Sequence, residues 1–214
     1  MLDNNARPTN LIILLAAGII LILTAIIYQK YYRAPSDIAK LTSQYKYIDP
    51  NTGYRMGHYR APTPQSIKNA TRISTTELVK KLGNENITKD PAILLIDVMA
   101  HIGAGWDPIS GAWLVSKPRY HIPRSTWLPD VGAGYLSSEL KKFFKSNLER
   151  LTNGDKSRQI VIYCQSDCWM SWNAVRRASG WGYSNIFWYP EGSDGWLEAN
   201  HNLVKAKPVP LDID

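Results

Sequence analysis

The two cysteines of this chain, Cys164 and Cys168, lie in one short segment and are the residues best suited to chemistry. The preceding residues 160–163 are largely β-branched and apolar, which indicates a buried strand. The following residues 174–178 place small apolar side chains on one helical face, and Gly180 lies near the expected end of that helix. We therefore predict that Cys164 lies on a loop between a strand and a helix. Loop amides and a helix N-terminus there would depress the pKa of its thiol.

Other interpretations of the cysteine pair are a structural disulfide, two inert buried thiols or a metal site. A disulfide between Cys164 and Cys168 would close a very short loop and add little stability. Any bridge is expected to be labile, and two nearby free thiols are the alternative. Zinc would need further ligands at regular spacing. The four histidines are instead scattered along the chain: His58, His101, His121 and His201.

The reduced thiols are also able to bind the soft ion Cu(I), with Met170 as the nearest third ligand in sequence. We expect no other cofactor to be tightly bound. Reactive-thiol chemistry at Cys164, with Cys168 as its partner, is the preferred interpretation because a strand–loop–helix setting suits a functional thiol.

An uncharged apolar run from residue 11 to residue 28 predicts a membrane-spanning helix. A cleaved signal peptide is the alternative, but no small-x-small cleavage site follows. Residues 29–33 instead combine basic and aromatic side chains, which is typical of an interfacial anchor. We therefore expect residues 11–29 to hold the chain in a lipid bilayer.

The orientation of this anchor is left open by the charges. Only Arg7 precedes the apolar run, whereas the flanking residues 30–46 are rich in Lys and Arg, so the positive-inside rule places the domain in the cytoplasm. An N-terminal apolar run is also typical of an export signal-anchor, which would place the domain on the opposite side.

The composition is that of one globular domain with an appendage, 44% apolar and 20% charged. Of the net charge of +7, residues 1–60 contribute +4 (seven basic, three acidic) and residues 61–214 contribute +3 (eighteen basic, fifteen acidic). A domain with so small an excess of interspersed charge is not a nucleic-acid-binding surface, so we expect no nucleic-acid partner.

Local signals predict alternating helices and strands. They are a helix begun by a capping box at Ser74–Glu77, strands over 92–97 and 185–189, a helix capped by Ser137, a long loop over 102–118 and a turn-rich loop over Glu191–Gly195. Alternation of this kind predicts an α/β fold of three layers with a parallel central sheet. Because active sites of such folds lie at the carboxyl ends of strands, Asp97, Cys164 and the Glu191–Gly195 loop are expected to converge.

The predicted domain organisation has five parts. They are an N-terminal tail (1–10), a transmembrane anchor (11–29), a Pro/Tyr-rich linker (30–72), the α/β domain (73–204) and a C-terminal tail (205–214).

Several longer motifs resemble known proteins. The runs Leu95–Val98, His121–Pro129, Ile160–Cys164 and Glu191–Trp196 resemble a rhodanese-like domain. The runs Cys168–Ala174, Trp188–Trp196 and Tyr59–Pro64 narrow the resemblance to the Cys/Cys-Trp (CXXCW) motif proteins associated with catabolism dependent on pyrroloquinoline quinone (PQQ). That resemblance covers about residues 54–203.

The resemblance implies a bacterial protein of the inner membrane, single-pass, with its domain in the periplasm. It also implies a protein partner, either a quinoprotein dehydrogenase, a cytochrome or a membrane oxidase. A dithiol or Cu(I)-binding maturation factor and a non-catalytic docking subunit are the alternative functions.

By position in this resemblance, Cys164 is the cysteine that carries a persulfide. The loop expected to cradle the persulfide or the donor anion consists of Gln165, Ser166, Asp167 and Trp169. Active relatives place an Arg or Lys in this loop, whereas here Asp167 brings a negative charge, so we expect low sulfurtransferase activity. Cys168 is expected to resolve a Cys164 persulfide or sulfenate, and Asp97 to support the loop.

Overall fold

The computed structural model describes residues 18–24, 26, 45–83 and 93–211. The chain divides into two compact units, Met1–Lys46 and Tyr47–Asp214. Residues 18–24 and 26 are helical, and most of the predicted anchor lies outside the described residues. Among the residues that are described, no helix has the length and apolar character needed to cross a membrane. The anchor over 11–29 therefore stays a prediction.

The second unit alternates strands and helices. In chain order they are β1 (Thr71–Arg72), α1 (Thr75–Leu82), β2 (Ile93–Asp97), β3 (Gly103–Trp106), β4 (Trp113–Val115), β5 (Tyr120–His121), β6 (Thr126–Trp127), α2 (Ser138–Thr152), β7 (Gln159–Tyr163), α3 (Trp169–Gly180), β8 (Ile186–Tyr189), α4 (Gly192–Glu198) and β9 (Val204–Lys205). Five strands form a parallel sheet in the order β1–β8–β7–β2–β6. The pairs β3–β4 and β5–β9 form two small antiparallel sheets.

Side-chain alternation along β7 divides the core between the two faces of the sheet. Ile160 and Ile162 pack in one cluster with residues of α2 and α3, such as Phe144 and Val175. Val161 and Tyr163 point to the other face, into a cluster that includes residues of α1 and α4. Because both faces of a parallel sheet are covered, its strands are apolar throughout. The predicted α/β fold with a parallel central sheet is confirmed.

The helix starts follow the predicted capping signals. The Ser74 hydroxyl accepts a hydrogen bond from the Glu77 amide, and the Glu77 carboxylate accepts one from the Ser74 amide at 2.7 Å. The Ser137 hydroxyl accepts a bond from the Leu140 amide at the start of α2. Both predicted N-caps are confirmed, and each satisfies an amide that would otherwise lack a partner in the helix.

Two predicted loops contain regular structure. The long loop over 102–118 contains the β3–β4 hairpin, whose turn closes through a bond from the Gly111 amide to the Asp107 carbonyl at 2.8 Å. The loop at Glu191–Gly195 instead opens α4, with the Gly195 amide bonded to the Glu191 carbonyl at 2.9 Å. Both predictions were wrong for one reason: clustered Gly, Ser and Asp residues mark turns, and here packing against the domain decides the backbone conformation.

Residues 55–64, which we call the strap, lie within the predicted linker and pack on the α/β domain. The Asn173 side chain bonds both backbone groups of Arg55, at 2.9 and 3.0 Å, and also the Gly132 carbonyl at 2.9 Å. All three bonds are buried. Helix α3 thereby holds the first residue of the strap.

We expect Asn173→Leu to lower the free energy of unfolding by about 3 kcal/mol, because buried backbone groups of Arg55 and Gly132 lose their partners. Urea denaturation followed by circular dichroism measures this change. The same substitution at the exposed Asn202 is the control and should change stability by less than about 0.5 kcal/mol. Equal stability of the two variants would show that Asn173 does not hold the strap.

Candidate active site

The cysteine loop connects the central sheet to helix α3. Cys164 follows β7 directly, which confirms its predicted place between a strand and a helix, and Cys168 is the N-cap residue of α3. Both residues are free thiols, with 0% of Cys164 and 4% of Cys168 exposed to solvent. The loop between them thus places one thiol inside the domain and the other at the positive end of a helix.

The start of the loop is held by the carbonyl oxygen of Cys164. This atom accepts bonds from the Ser193 amide at 3.0 Å, the Ser193 hydroxyl at 3.2 Å and the Arg119 guanidinium at 3.0 Å. Gly192 has a φ of +58°, and a Cβ atom there would lie 2.7 Å from the same oxygen. Only glycine allows α4 to approach so closely.

Asp97 ends β2 and supports the loop through Arg119. Its buried carboxylate accepts bonds from the Arg119 Nε at 2.8 Å and from the Met99 amide at 3.0 Å. Burial raises the pKa of the Asp97 carboxyl, and the Arg119 guanidinium opposes that shift. Because the same guanidinium bonds the Cys164 carbonyl, Asp97 orients the loop from a distance.

Arg119 is a site residue that the sequence analysis missed. It lies just before the short strand β5, and its neighbours show no motif or spacing that marks a loop-binding guanidinium. The convergence of the three predicted segments is confirmed, and Arg119 is what joins two of them.

The acid–base character of the two thiols is the reverse of the prediction. The pKa of Cys164 is raised well above its ordinary value, first by burial and then by its hydrogen bond with Cys168. The pKa of Cys168 is lowered, first by the bond from Cys164, with help from the Met170 amide, the Arg60 guanidinium and the Gln165 amide. The expected depressed pKa at Cys164 was wrong because the sequence does not reveal how deeply its sulfur is buried.

Several polar groups of the predicted cradle have partners within the domain. The Ser166 amide and hydroxyl both bond the Asp194 carboxylate, at 3.3 and 2.8 Å. Asp167 adopts a left-handed conformation with a φ of +50°, and its carbonyl accepts a bond from the Ala61 amide. The amides that stabilise a thiolate are those of Gln165 and Met170, and they serve Cys168.

The strap covers the cysteine loop. The Trp169 amide bonds the Tyr59 carbonyl at 2.9 Å, and its indole Nε1 bonds the Pro62 carbonyl at 3.1 Å. The Arg55 guanidinium lies 4.4 Å from the centre of the Trp169 ring. Trp169 therefore packs between the strap and the domain, and its amide is engaged with the strap backbone. The strap thus lies over the start of α3, where Cys168 is the N-cap residue.

A cleft of about 280 Å³ lies beside the loop, between Arg119, Trp127, Ser193 and Leu203. The residues that line it include Asp194, the acceptor of Ser166, but neither cysteine. Within the described part of the chain, no group of three or more His, Cys, Asp or Glu side chains is arranged to hold a metal ion. Met170, the predicted third ligand for Cu(I), is buried in the first turn of α3.

Residues 74–199 match the family described as the rhodanese-like domain. The chain belongs to the rhodanese-like domain family. This match covers most of the predicted domain over 73–204 and includes both cysteines. No curated protein sequence matches the chain significantly.

The solved structures that are similar to this chain include the following three. An uncharacterized protein from Saccharomyces cerevisiae is 22% identical, with a TM-score of 0.39 over 61% of this chain and 93% of its own. The polysulfide-sulfur transferase homodimer from Wolinella succinogenes is 19% identical, with a TM-score of 0.39 over 64% of this chain and 79% of its own. EanB, in a complex with ergothioneine covalently linked to a persulfide, is 20% identical, with a TM-score of 0.41 over 63% of this chain and 28% of its own.

We expect the pH profile of Cys168 alkylation to depend on the hydrogen bond from Cys164. Because that bond lowers the pKa of Cys168, Cys164→Ala should move the profile to higher pH and slow the reaction several-fold at neutral pH. Cys164→Ser keeps a hydroxyl donor and is the matched control, with a profile closer to wild type. Iodoacetamide labelling with mass spectrometry measures each rate. Coincident profiles for the two variants would show that Cys164 does not stabilise the thiolate.

Proposed function

We propose that this protein is a persulfide carrier, or a sulfurtransferase of low activity, that works through Cys164 and Cys168. The observation that carries the proposal is a pair of neighbouring thiols: the Cys164 Sγ donates to the Cys168 carbonyl at 3.5 Å, and Cys168 is the N-cap residue of α3 with a lowered pKa. A lowered pKa raises the fraction of Cys168 present as the nucleophilic thiolate, and a second thiol beside it can receive the transferred sulfur.

The proposed chemistry begins at Cys168. Its thiolate attacks the sulfane sulfur of a donor such as thiosulfate, a new S–S bond forms, and the donor's S–S bond breaks with sulfite leaving with the electron pair. The sulfur of Cys164 then attacks the outer sulfur of the Cys168 persulfide. A new S–S bond forms at Cys164, the S–S bond at Cys168 breaks, and the proton of the Cys164 thiol passes to the sulfur of Cys168. The persulfide thus ends on the residue that the family resemblance favours, and an acceptor thiolate removes it in the same manner.

Low turnover is expected from the charge of the loop. Residues 164–169 include no Lys or Arg, and Asp167 adds a negative charge that repels an anionic donor. A carrier that is loaded slowly and discharged to a specific partner fits this charge better than a fast enzyme for free thiosulfate. The burial of both cysteines contributes to the same outcome because it limits the access of a donor to their sulfurs.

The proposed setting is the bacterial inner membrane, with the domain in the periplasm and an accessory role in PQQ-dependent oxidation. Two sequence features support it: the uncharged run over residues 11–28 and the Cys168–Ala174 motif of the PQQ-associated Cys/Cys-Trp group. The partner would be a quinoprotein dehydrogenase, a cytochrome or a membrane oxidase. In this setting the persulfide or dithiol serves the maturation or maintenance of that partner.

A second candidate function is Cu(I) delivery or dithiol exchange. The observation that favours it is the closeness of the two residues, with the Cys164 Sγ 3.5 Å from the Cys168 carbonyl oxygen, because two neighbouring thiolates are good ligands for Cu(I). Buried Met170 follows two residues after Cys168 as a further soft ligand. Stoichiometric Cu(I) binding that disappears in Cys168→Ser, without any sulfur loading of wild type, would favour this function over sulfur transfer.

A docking role without catalysis is favoured only by exposed apolar side chains of the β3–β4 hairpin, such as Ile109, which is 88% exposed. Growth that needs the protein but not its two cysteines would favour this role.

We expect full-length protein treated with thiosulfate to gain one sulfur, 32 Da by intact mass spectrometry, because the Cys168 thiolate attacks the donor. Cys168→Ser should lose at least about tenfold in loading rate, since only the high-pKa Cys164 thiol remains. Cys164→Ser should still load at Cys168. Loading that survives in Cys168→Ser but not in Cys164→Ser would assign the attack to Cys164. Absence of any adduct with thiosulfate or polysulfide would overturn the proposal.

We expect reporter fusions after Asp214 to place the domain outside the cytoplasm. Alkaline phosphatase, which folds only in the periplasm, should be active, and β-galactosidase at the same position should be inactive. Deletion of residues 1–29 is the control and should abolish the phosphatase signal. The reverse pattern of activities would place the domain in the cytoplasm, as the flanking positive charges alone predict.

A further inference from the structure

The strap brings a basic side chain to the mouth of the cysteine loop. Arg60 pairs its backbone with Cys168 in an antiparallel bridge. On either side of it, the Ala61 amide bonds the Asp167 carbonyl at 2.8 Å and the Trp169 amide bonds the Tyr59 carbonyl at 2.9 Å. Because the backbone is held on both sides, the position of Arg60 beside Cys168 is fixed by the fold and does not depend on its own side chain.

The Arg60 guanidinium is accessible and is held only weakly. Its Nη2 lies 3.6 Å from the Asp194 Oδ2, and 56% of the Arg60 side chain is exposed, against 36% of the Asp194 side chain. An exposed ion pair at this distance contributes little stability. The same Asp194 oxygen already accepts two bonds from Ser166, at 3.3 and 2.8 Å. A guanidinium has five N–H donors, so Arg60 keeps donors to offer an incoming anion.

We infer that Arg60 binds the anionic group of the sulfur donor at Cys168 and so supplies, from the strap, the cation that the cysteine loop lacks. This inference rests on the proposed function. A planar guanidinium suits the oxygens of a thiosulfonate-type anion, and it orients the sulfane sulfur toward the thiolate. Asp194 competes with the donor for the Arg60 guanidinium, and its negative charge slows anionic reagents more than neutral ones.

The inference agrees with the electrostatics of the thiols. Arg60 is among the groups that lower the pKa of Cys168, after the bond from Cys164 and the Met170 amide. That influence would accelerate every reagent equally. Attraction of an anion by the guanidinium, in contrast, accelerates only anionic reagents, and it weakens as salt screens the guanidinium. The two effects can therefore be separated by comparing reagents of equal size and different charge.

The test measures the ratio of the alkylation rates of Cys168 by iodoacetate, an anion, and by iodoacetamide, its neutral analogue. Both reagents react with the Cys168 thiolate, form an S–C bond and release iodide. A change in the pKa of Cys168 therefore alters both rates by the same factor and cancels in the ratio. For the full-length chain with Arg60→Gln we expect the ratio to fall about tenfold at low salt. In Arg60→Lys the ratio should fall less, because lysine keeps the positive charge. In Asp194→Asn the ratio should rise, because a negative charge beside Arg60 is removed. The control Lys141→Gln removes one exposed charge from α2 and should leave the ratio unchanged.

In the wild type the ratio should decline as salt is added, whereas in Arg60→Gln it should be nearly insensitive to salt. A ratio that is the same in wild type and Arg60→Gln overturns the inference, even where both individual rates fall. Thiosulfate loading is followed in parallel on the same proteins. Absence of loading in wild type contradicts the proposed function alone, and loading that is equal in wild type and Arg60→Gln contradicts the role of Arg60 alone.

Discussion

The interaction between the neighbouring residues Cys164 and Cys168, in which the Cys164 Sγ donates to the Cys168 carbonyl at 3.5 Å, sets the character of this site. A thiolate that is nearly removed from solvent is stable only if donors surround it. Cys164 provides one donor, the amides of Gln165 and Met170 provide others, and the N-terminus of α3 adds a favourable dipole. The same arrangement opposes the ionisation of Cys164, because burial and the neighbouring Cys168 raise its pKa. The pair therefore consists of one thiol with a lowered pKa, Cys168, and one with a raised pKa, Cys164.

The difference between the two thiols requires a rigid cysteine loop, and the groups that hold this loop belong to other segments of the domain. The Cys164 carbonyl is bonded by Arg119 and Ser193, and the first of these is fixed in turn by the buried carboxylate of Asp97. The parallel register of β2 and β7, which sets Asp97 opposite Tyr163, brings these groups to one edge of the sheet. A small shift of either strand would change the direction of the loop carbonyl and separate the thiols.

The strap adds a third constraint, because a segment before the family-matched region completes the site. It contributes backbone partners for Asp167 and Trp169, an aromatic contact through Arg55, and the charge of Arg60. Residues 47–72 thus belong to the compact unit of the domain.

Local sequence signals by themselves determined the layers, the principal caps and the position of the cysteines. The apolar residues 160–163, the capping box at Ser74 and the N-cap at Ser137 act over a few residues, so their outcome depends little on the rest of the fold. Tertiary structure alone decided which thiol has the lower pKa, because burial of Cys164 and the approach of Arg60 involve residues far apart in sequence. It also decided the hairpin within 102–118 and the helix that follows Glu191, where Gly-rich segments have no strong preference and take the conformation that packing imposes.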